Sequence, residues 1–280
     1  MTPDEYTLKI IDKYVVDIEK AQAAGNTIYP TIQTWAGSYL VKAEFSGSLA
    51  KGTAIALSSD ADIFISLSST TKETLQEIYS SLYTYVTKAG YTARKQNVSI
   101  GVDVNGRKLD LVPGKRQSQH GNDHSLCRFK AASWTKTNIH THINHIQNSN
   151  RIQEIKLTKI WRELHNLDFP SFYLEMVVID ALKYKSTNDL ANNFMAVLNF
   201  LANDFTSKTY TDPANSNNTI SDDLTLAEKK KIATQANSSK NEKNWGSIVW
   251  GIKQSNYQKK MVKSSYVSHL NANKLFWPLI

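Results

Sequence analysis

The sequence predicts an α+β protein of two lobes, a small mixed sheet followed by a mainly helical half, with a cleft between them. Short apolar runs between Val41 and Val112 have the length and alternation of strands. Asn105-Gly106 sits between two such runs, the strongest short signal for a hairpin. From Ile152 onward the apolar residues recur at helical spacing.

The elements follow in order. Thr2-Pro3-Asp4-Glu5 reads as a capping box, with Thr2 as cap, Pro3 at the first helical position and Glu5 reaching back. Leu8, Ile11, Val15, Ile18 and Ala21 then form one buried stripe of a long first helix, which Gly25-Asn26 ends; a short helix over 31–39 follows. Strands are expected over 41–45, 62–67, 91–95, 98–104 and 108–112, with a helix over 72–89. The first 116 residues make the sheet lobe with its N-terminal helix, and residues 117–280 the helical lobe. Helices are expected over 152–165, 171–185, 192–204 and around Ala227 to Ala236. A polar stretch over 206–223 and a loop over 237–244 separate them from a buried-type segment, Trp245 to Ile252.

At 280 residues with 41% hydrophobic composition, the chain can bury a substantial core, and general disorder is excluded. No apolar run approaches the ~20 residues of a membrane helix, and Thr2 to Glu5 do not open a signal peptide, so a cytoplasmic protein with no membrane partner is expected. One cysteine, Cys127, excludes an internal disulfide framework and a cysteine-rich zinc site. Thirty-three Lys and Arg against 25 Asp and Glu give +8, a balance that suits polyanions such as nucleotides or nucleic acid.

The chemistry concentrates between Phe45 and Ile65. A Gly47-Ser48 turn after a strand exposes backbone N–H groups and a hydroxyl, the means of cradling phosphate. Asp60 and Asp62, two apart on a strand, point to one side. Paired carboxylates beside Ile63 and Ile65 repel each other unless cations neutralise them, and hard oxygen ligands favour Mg²⁺ or Mn²⁺. Asp110, between Leu109 and Leu111, adds a third carboxylate on another strand. This is the set required for phosphoryl transfer with two metal ions. His140, His142 and His145 lack carboxylate or cysteine companions and read as structural or surface residues; Lys229-Lys230-Lys231 reads as a solvated helix face, with contact to RNA or an acidic tail as the alternative.

Gly47-Ser48, Lys51-Gly52-Thr53, Asp60-x-Asp62 and the strand Asp110 together resemble the polymerase-β-like nucleotidyltransferase superfamily. The stretch GSLAKGTAIALSSDADIFI is most similar to its oligoadenylate synthase and cyclic GMP-AMP synthase branch, which includes the bacterial CD-NTases of antiphage signalling. Lys159-Ile160-Trp161, Phe169 to Glu175, Asp212-Pro213-Ala214-Asn215 and Trp250-Gly251 resemble the helical lobe of that branch.

The resemblance implies that Asp60, Asp62 and Asp110 hold two Mg²⁺ or Mn²⁺ ions and that Gly47, Ser48, Lys159 and Ser171 hold the donor triphosphate, with Lys51 and Thr53 either touching phosphate or shaping the turn. It implies nucleoside triphosphate substrates, a cyclic di- or trinucleotide product and a regulatory protein partner. Linear oligoadenylate synthesis, transfer to tRNA or protein, and an inactive nucleic-acid-binding module are the alternatives, and a nucleic-acid activator is left undecided. The cysteines of a zinc thumb are missing, so DNA sensing through such a thumb is not expected.

Overall fold

In the computed structural model, which describes residues 1–58 and 60–251, a mixed sheet and a helical bundle each enclose a core of their own. Ser59 and residues 252–280, the end of the expected helical lobe, lie outside the described residues. Helix α1 spans Pro3–Lys13. Its capping box forms as expected: the Glu5 amide donates to Thr2 Oγ1 (3.2 Å) and the Thr2 amide to Glu5 Oε2 (2.9 Å).

The single long first helix is corrected to two. The chain leaves the helix after Lys13, and Asp17 accepts from the Lys20 amide to start α2 at Ile18. A strong new N-cap outweighs continuation of the apolar stripe. Helix α2, Ile18–Ala36, then runs through Gly25-Asn26, where the sequence placed an end, and on through Pro30, because Ala21, Ala24, Gly25 and Ile28 are buried against the sheet. The buried stripe of α1 is Tyr6, Ile10 and Ile11, while Leu8 and Val15 are exposed.

Strands β1 (Leu40–Phe45) and β2 (Ala61–Leu67) flank the short helix α3 (Gly47–Lys51). Helix α4 (Leu75–Lys88) leads to β3 (Ala93–Lys95), β4 (Ile100–Val104) and β5 (Arg107–Arg116). Asn105 and Gly106 join β4 to β5, both at positive φ (54° and 76°), as the dipeptide predicts. The path of the sheet is β1-β2-β5-β4-β3, with β2 and β5 parallel and the other pairs antiparallel.

The boundary at residue 116 needs correction. Two further strands, β6 (His124–Arg128) and β7 (Ser133–Thr137), extend the same sheet, β6 pairing with Gly114, Lys115 and Arg116 of β5. Only Leu126 and Cys127 of these strands are buried apolar residues, too few to print an alternation in the sequence. Helix α5 (Ile139–Gln147) then packs on α3 through a hydrogen bond from Gln147 Nε2 to the Ala50 carbonyl (2.9 Å). Conversely, α1 belongs to the helical core, where Tyr6, Ile10 and Ile11 join Trp161, Tyr173, Phe194 and Phe205.

The helical lobe contains α6 (Ile152–Leu164), α7 (Ser171–Ala181), α8 (Leu190–Asn203), a hairpin of β8 (Thr211–Asp212) and β9 (Asn215–Thr219), α9 (Leu226–Lys240) and α10 (Trp245–Ile248). Helix α9 runs four residues into the loop expected from 237: Ser239 is buried and accepts from Trp161 Nε1 at 2.9 Å. No helix among the described residues is long and apolar enough to cross a membrane.

Candidate active site

The Gly-Ser turn sits at the end of β1, where the Ser46 amide donates to the Asp62 carbonyl on β2 (2.8 Å). Gly47 has φ +56°, and a Cβ there would stand 1.8 Å from Asp62 Oδ2. The turn therefore passes over the carboxylate at a distance only glycine permits. Gly47→Ala should cost about 1–3 kcal/mol through this clash and the strained φ. Urea denaturation measures the loss, and wild-type stability in the variant would show that the Asp62 carboxylate lies elsewhere. Ser48 is half-buried, and its carbonyl accepts from the Thr53 amide (2.9 Å) to close the turn.

Asp62 and Asp110 are direct partners on the parallel strands β2 and β5. Burial first, then the Asp110 charge, push the Asp62 carboxyl up to about 7; Asp60 adds to this, and Lys51 and Lys159 oppose it. Asp110 is raised by burial and by Asp60. Gln96 Nε2 donates to Asp110 Oδ1 (2.7 Å) and Ser99 Oγ to Oδ2 (3.4 Å). Asp60 differs from expectation: it precedes β2 and pairs at 3.7 Å with Arg94 on β3, both side chains being about half exposed. The three carboxylates thus act on one another, but among the described residues no three His, Cys, Asp or Glu side chains are grouped to grip one ion.

The residues expected to hold triphosphate come together in another arrangement. Lys51 and Lys159 are 6% and 1% exposed, and both ammonium groups face Glu175, itself fully buried, at 2.5 and 2.6 Å. Thr53 Oγ1 donates to Glu175 Oε1 (2.6 Å) and accepts from Lys159 Nζ (3.0 Å). The two lysines therefore tie α3 to α6 and α7 from within instead of lining an open groove. Burial alone would raise Glu175, but the two ammonium groups outweigh it and hold its carboxyl down to about 2. Burial pushes Lys159 down to about 8 despite Glu175, with Lys51 adding repulsion. Both values fall, Glu175 because two ammonium groups outweigh its burial and Lys159 because burial outweighs the pull of Glu175, and both groups are charged at neutral pH.

Ser171 is the first residue of α7, half-buried, and accepts from Arg162 Nη1 (2.9 Å). The buried Arg162 also donates to the Phe169 carbonyl (2.7 Å) and to Ser58 Oγ (3.2 Å), joining the segment before Asp60 to the helical lobe.

Sequence reasoning gave no role to Glu175, Arg162, Arg94, Gln96 or Ser99. Glu175 was detectable, since it interrupts the apolar run Tyr173 to Val178 and a carboxylate there requires a buried cation. Arg94, Gln96 and Ser99 lie on a three-residue strand and its turn, which carry no periodicity. The three histidines share α5: His142 Nε2 bonds Asp212 Oδ1 (2.6 Å) and His140 lies 3.4 Å from Glu44. Lys230 and Lys231 are exposed on α9, and Lys229 lies 5.9 Å over the Tyr173 ring.

A mixed sheet carrying adjacent carboxylates on β2 and β5, a Gly-Ser turn laid over one of them and a helical lobe behind it define the fold of the CD-NTase branch of nucleotidyltransferases. Residues 16–150 match the model of the Second Messenger Oligonucleotide or Dinucleotide Synthetase (SMODS) domain. That span starts after α1 and ends after α5, the limits of the sheet lobe in the structure. The chain is similar to CdnG of Bradyrhizobium diazoefficiens, solved with GTP, at TM-score 0.73 and 11% identity over 86% of this chain and 91% of that one. It is similar to CdnC of E. coli MS115-1, solved with HORMA-deltaN, at TM-score 0.65 and 18% identity over 84% and 89%. It also resembles the CdnE cyclic dinucleotide synthase of Elizabethkingia meningoseptica, solved with GTP and Apcpp, at TM-score 0.62 and 13% identity over 76% and 89%. No curated protein matches the chain.

Proposed function

We propose that the protein is a nucleotidyltransferase that joins nucleoside triphosphates with release of pyrophosphate and closes them into a cyclic di- or trinucleotide. The observation that carries this reading is the in-register pair Asp62 and Asp110 beneath the Gly47 turn, within the span that matches the SMODS domain. The donor chemistry fits Mg²⁺ or Mn²⁺: three carboxylates supply hard oxygens, and the Asp62 and Asp110 carboxyls, raised first by burial and then by neighbouring carboxylates, would be relieved by a cation. Asp60, Asp62 and Asp110 would hold two such ions, which supply neutralisation of the phosphates and a lowered pKa for the attacking ribose hydroxyl. Asp60 gives up Arg94 for this role.

The remaining work falls to the chain's own groups. Gln96 and Ser99 orient Asp110 on the acceptor side. Gly47 lets the backbone approach the α-phosphate, and the Ser48 hydroxyl and the turn's amides receive the triphosphate. Lys51, Thr53 and Lys159 back that turn with one net positive charge shared over two ammonium groups and Glu175, so their pull on the triphosphate acts through field more than contact. Ser171, beside Arg162, extends the positive wall.

The substrates place the reaction in the cytoplasm, and a second messenger of this type suits a defence signal. CdnC of E. coli MS115-1 is solved with HORMA-deltaN, and for this chain we extend that likeness to a regulatory protein partner.

The test is incubation with the four nucleoside triphosphates and Mg²⁺ or Mn²⁺, followed by mass spectrometry. A phosphatase-resistant product with no 5′-triphosphate is expected, because the last hydroxyl attacks the first nucleotide's own α-phosphorus. A product that keeps a phosphatase-sensitive triphosphate establishes linear synthesis instead. No pyrophosphate release, together with nucleic-acid binding that weakens steeply with salt, establishes the inactive module.

A further inference from the structure

The acidic trio is reached from one side by a single edge strand. Arg94 on β3, Gly101 on β4, Asp110 on β5 and Asp62 on β2 are successive partners in one row across the sheet. The row is open at its second position: a Cβ on Gly101 would stand 2.6 Å from Arg94 Nε and 2.7 Å from Gln96 Nε2. Arg94 and Gln96, two residues apart, therefore lie over the bare backbone of β4 and extend toward the carboxylates. Their destinations differ. Gln96 reaches Asp110 at 2.7 Å from a rigid turn, its amide donating to the Tyr79 hydroxyl (3.0 Å), which donates in turn to the Gln96 and Ser99 carbonyls (2.8 and 2.9 Å). Tyr79 is fully buried and stacked on Phe129. Arg94 makes an exposed 3.7 Å pair with Asp60, and its charge also acts, more weakly than the bond from Gln96, on Asp110.

We propose that β3 sets the metal affinity of the acidic trio in opposite directions: Gln96 is a positioning residue that fixes the Asp110 carboxylate for an ion, and Arg94 is a counter-cation that competes with the ion for Asp60. This rests on the reading of the trio as the metal site. A neutral amide bonded to a metal-ligating carboxylate orients it and leaves its charge intact, the usual outer-shell contribution to affinity. A guanidinium within reach of a ligand carboxylate instead repels an arriving divalent ion, and the ion must displace it. The protein would therefore hold Asp60 in check at low divalent concentration and release Arg94 toward the nucleotide phosphates once ions bind.

The experiment is calorimetric titration of the full chain with Mn²⁺ alone, without nucleotide. Arg94→Ala should tighten binding about three- to tenfold, an effect that shrinks as NaCl is raised, and Arg94→Lys should stay close to wild type. Gln96→Ala should weaken binding about tenfold or more. Weakened or unchanged affinity in Arg94→Ala, or unchanged affinity in Gln96→Ala, overturns the inference while leaving the metal site standing, provided Asp62→Asn abolishes the wild-type titration. No Mn²⁺ binding by the wild type overturns both the inference and the reading beneath it. Circular dichroism shows each variant folded, and a general loss of structure would weaken binding in both variants, the opposite of the expected split.

Discussion

Asp62→Asn should abolish product formation, with at least a hundredfold loss, and at the same time make the metal-free protein more stable. Both effects come from one side chain. Asp62 stands opposite Asp110 in register and under Gly47, and its carboxyl is raised to about 7 by burial and by its acidic neighbours. A carboxyl that titrates higher in the folded than in the unfolded chain binds more protons when folded. Folding stability therefore falls as pH rises from about 4 to about 7 and stays reduced above that window. Asparagine carries no such charge. With a chelator present at pH 8, the variant should exceed the wild type by about 1–3 kcal/mol, and the gap should close toward pH 4. Mg²⁺ should raise the wild-type melting temperature and leave the variant unchanged. Thermal denaturation across pH, with and without Mg²⁺, checks all three points. A variant that keeps more than a few per cent of the activity, or gains nothing at pH 8, removes Asp62 from the metal site.

The acidic residues were legible in the sequence because their chemistry is local. Asp62 and Asp110 each interrupt an apolar strand, and Gly47-Ser48 follows directly on another. Strand, turn and carboxylate are all written within about twenty residues of one another around Asp62. The wiring behind them was not legible, because it depends on pairs far apart in the chain. Lys51 and Glu175 are 124 residues apart, and only the closed fold shows that Lys51 and Lys159 turn to the same carboxylate. The N-terminal helices failed for a different reason. An apolar stripe over Leu8, Val15 and Ile18 continues smoothly through Asp17, but the hydrogen bond from the Lys20 amide to that side chain restarts the helix in a new direction. Periodicity reports which residues share a face if the helix continues; it does not report whether a capping residue breaks it. Strands β6 and β7 were missed because their buried faces supply few apolar residues and the apolar residue of β7, Trp134, points outward.

Glu175→Gln should destabilise the protein by about 3–5 kcal/mol. Glu175 is fully buried and, among the described residues, is the one carboxylate that both Lys51 and Lys159 contact. Removing its charge leaves two ammonium groups in the interior facing each other, and an uncompensated buried charge costs more than the pair contributes when intact. The same carboxyl makes wild-type stability acid-sensitive in a defined window. It is held down to about 2 when folded, so its contribution is present above about 4.5 and is lost as pH falls toward 2. The variant should lack that component of the acid transition. Urea denaturation at pH 7 and at pH 3 separates the two effects, with the difference between wild type and variant larger at pH 7. A triple variant, Lys51→Met, Lys159→Met and Glu175→Leu, should regain most of the stability, since an apolar set of similar volume replaces a fully desolvated ion network without leaving a charge behind. It should not regain the activity if the net positive charge of the network helps to hold the triphosphate. Recovery of both would reduce the network to a packing device, and a loss below about 1 kcal/mol in Glu175→Gln would show that water reaches the lysines.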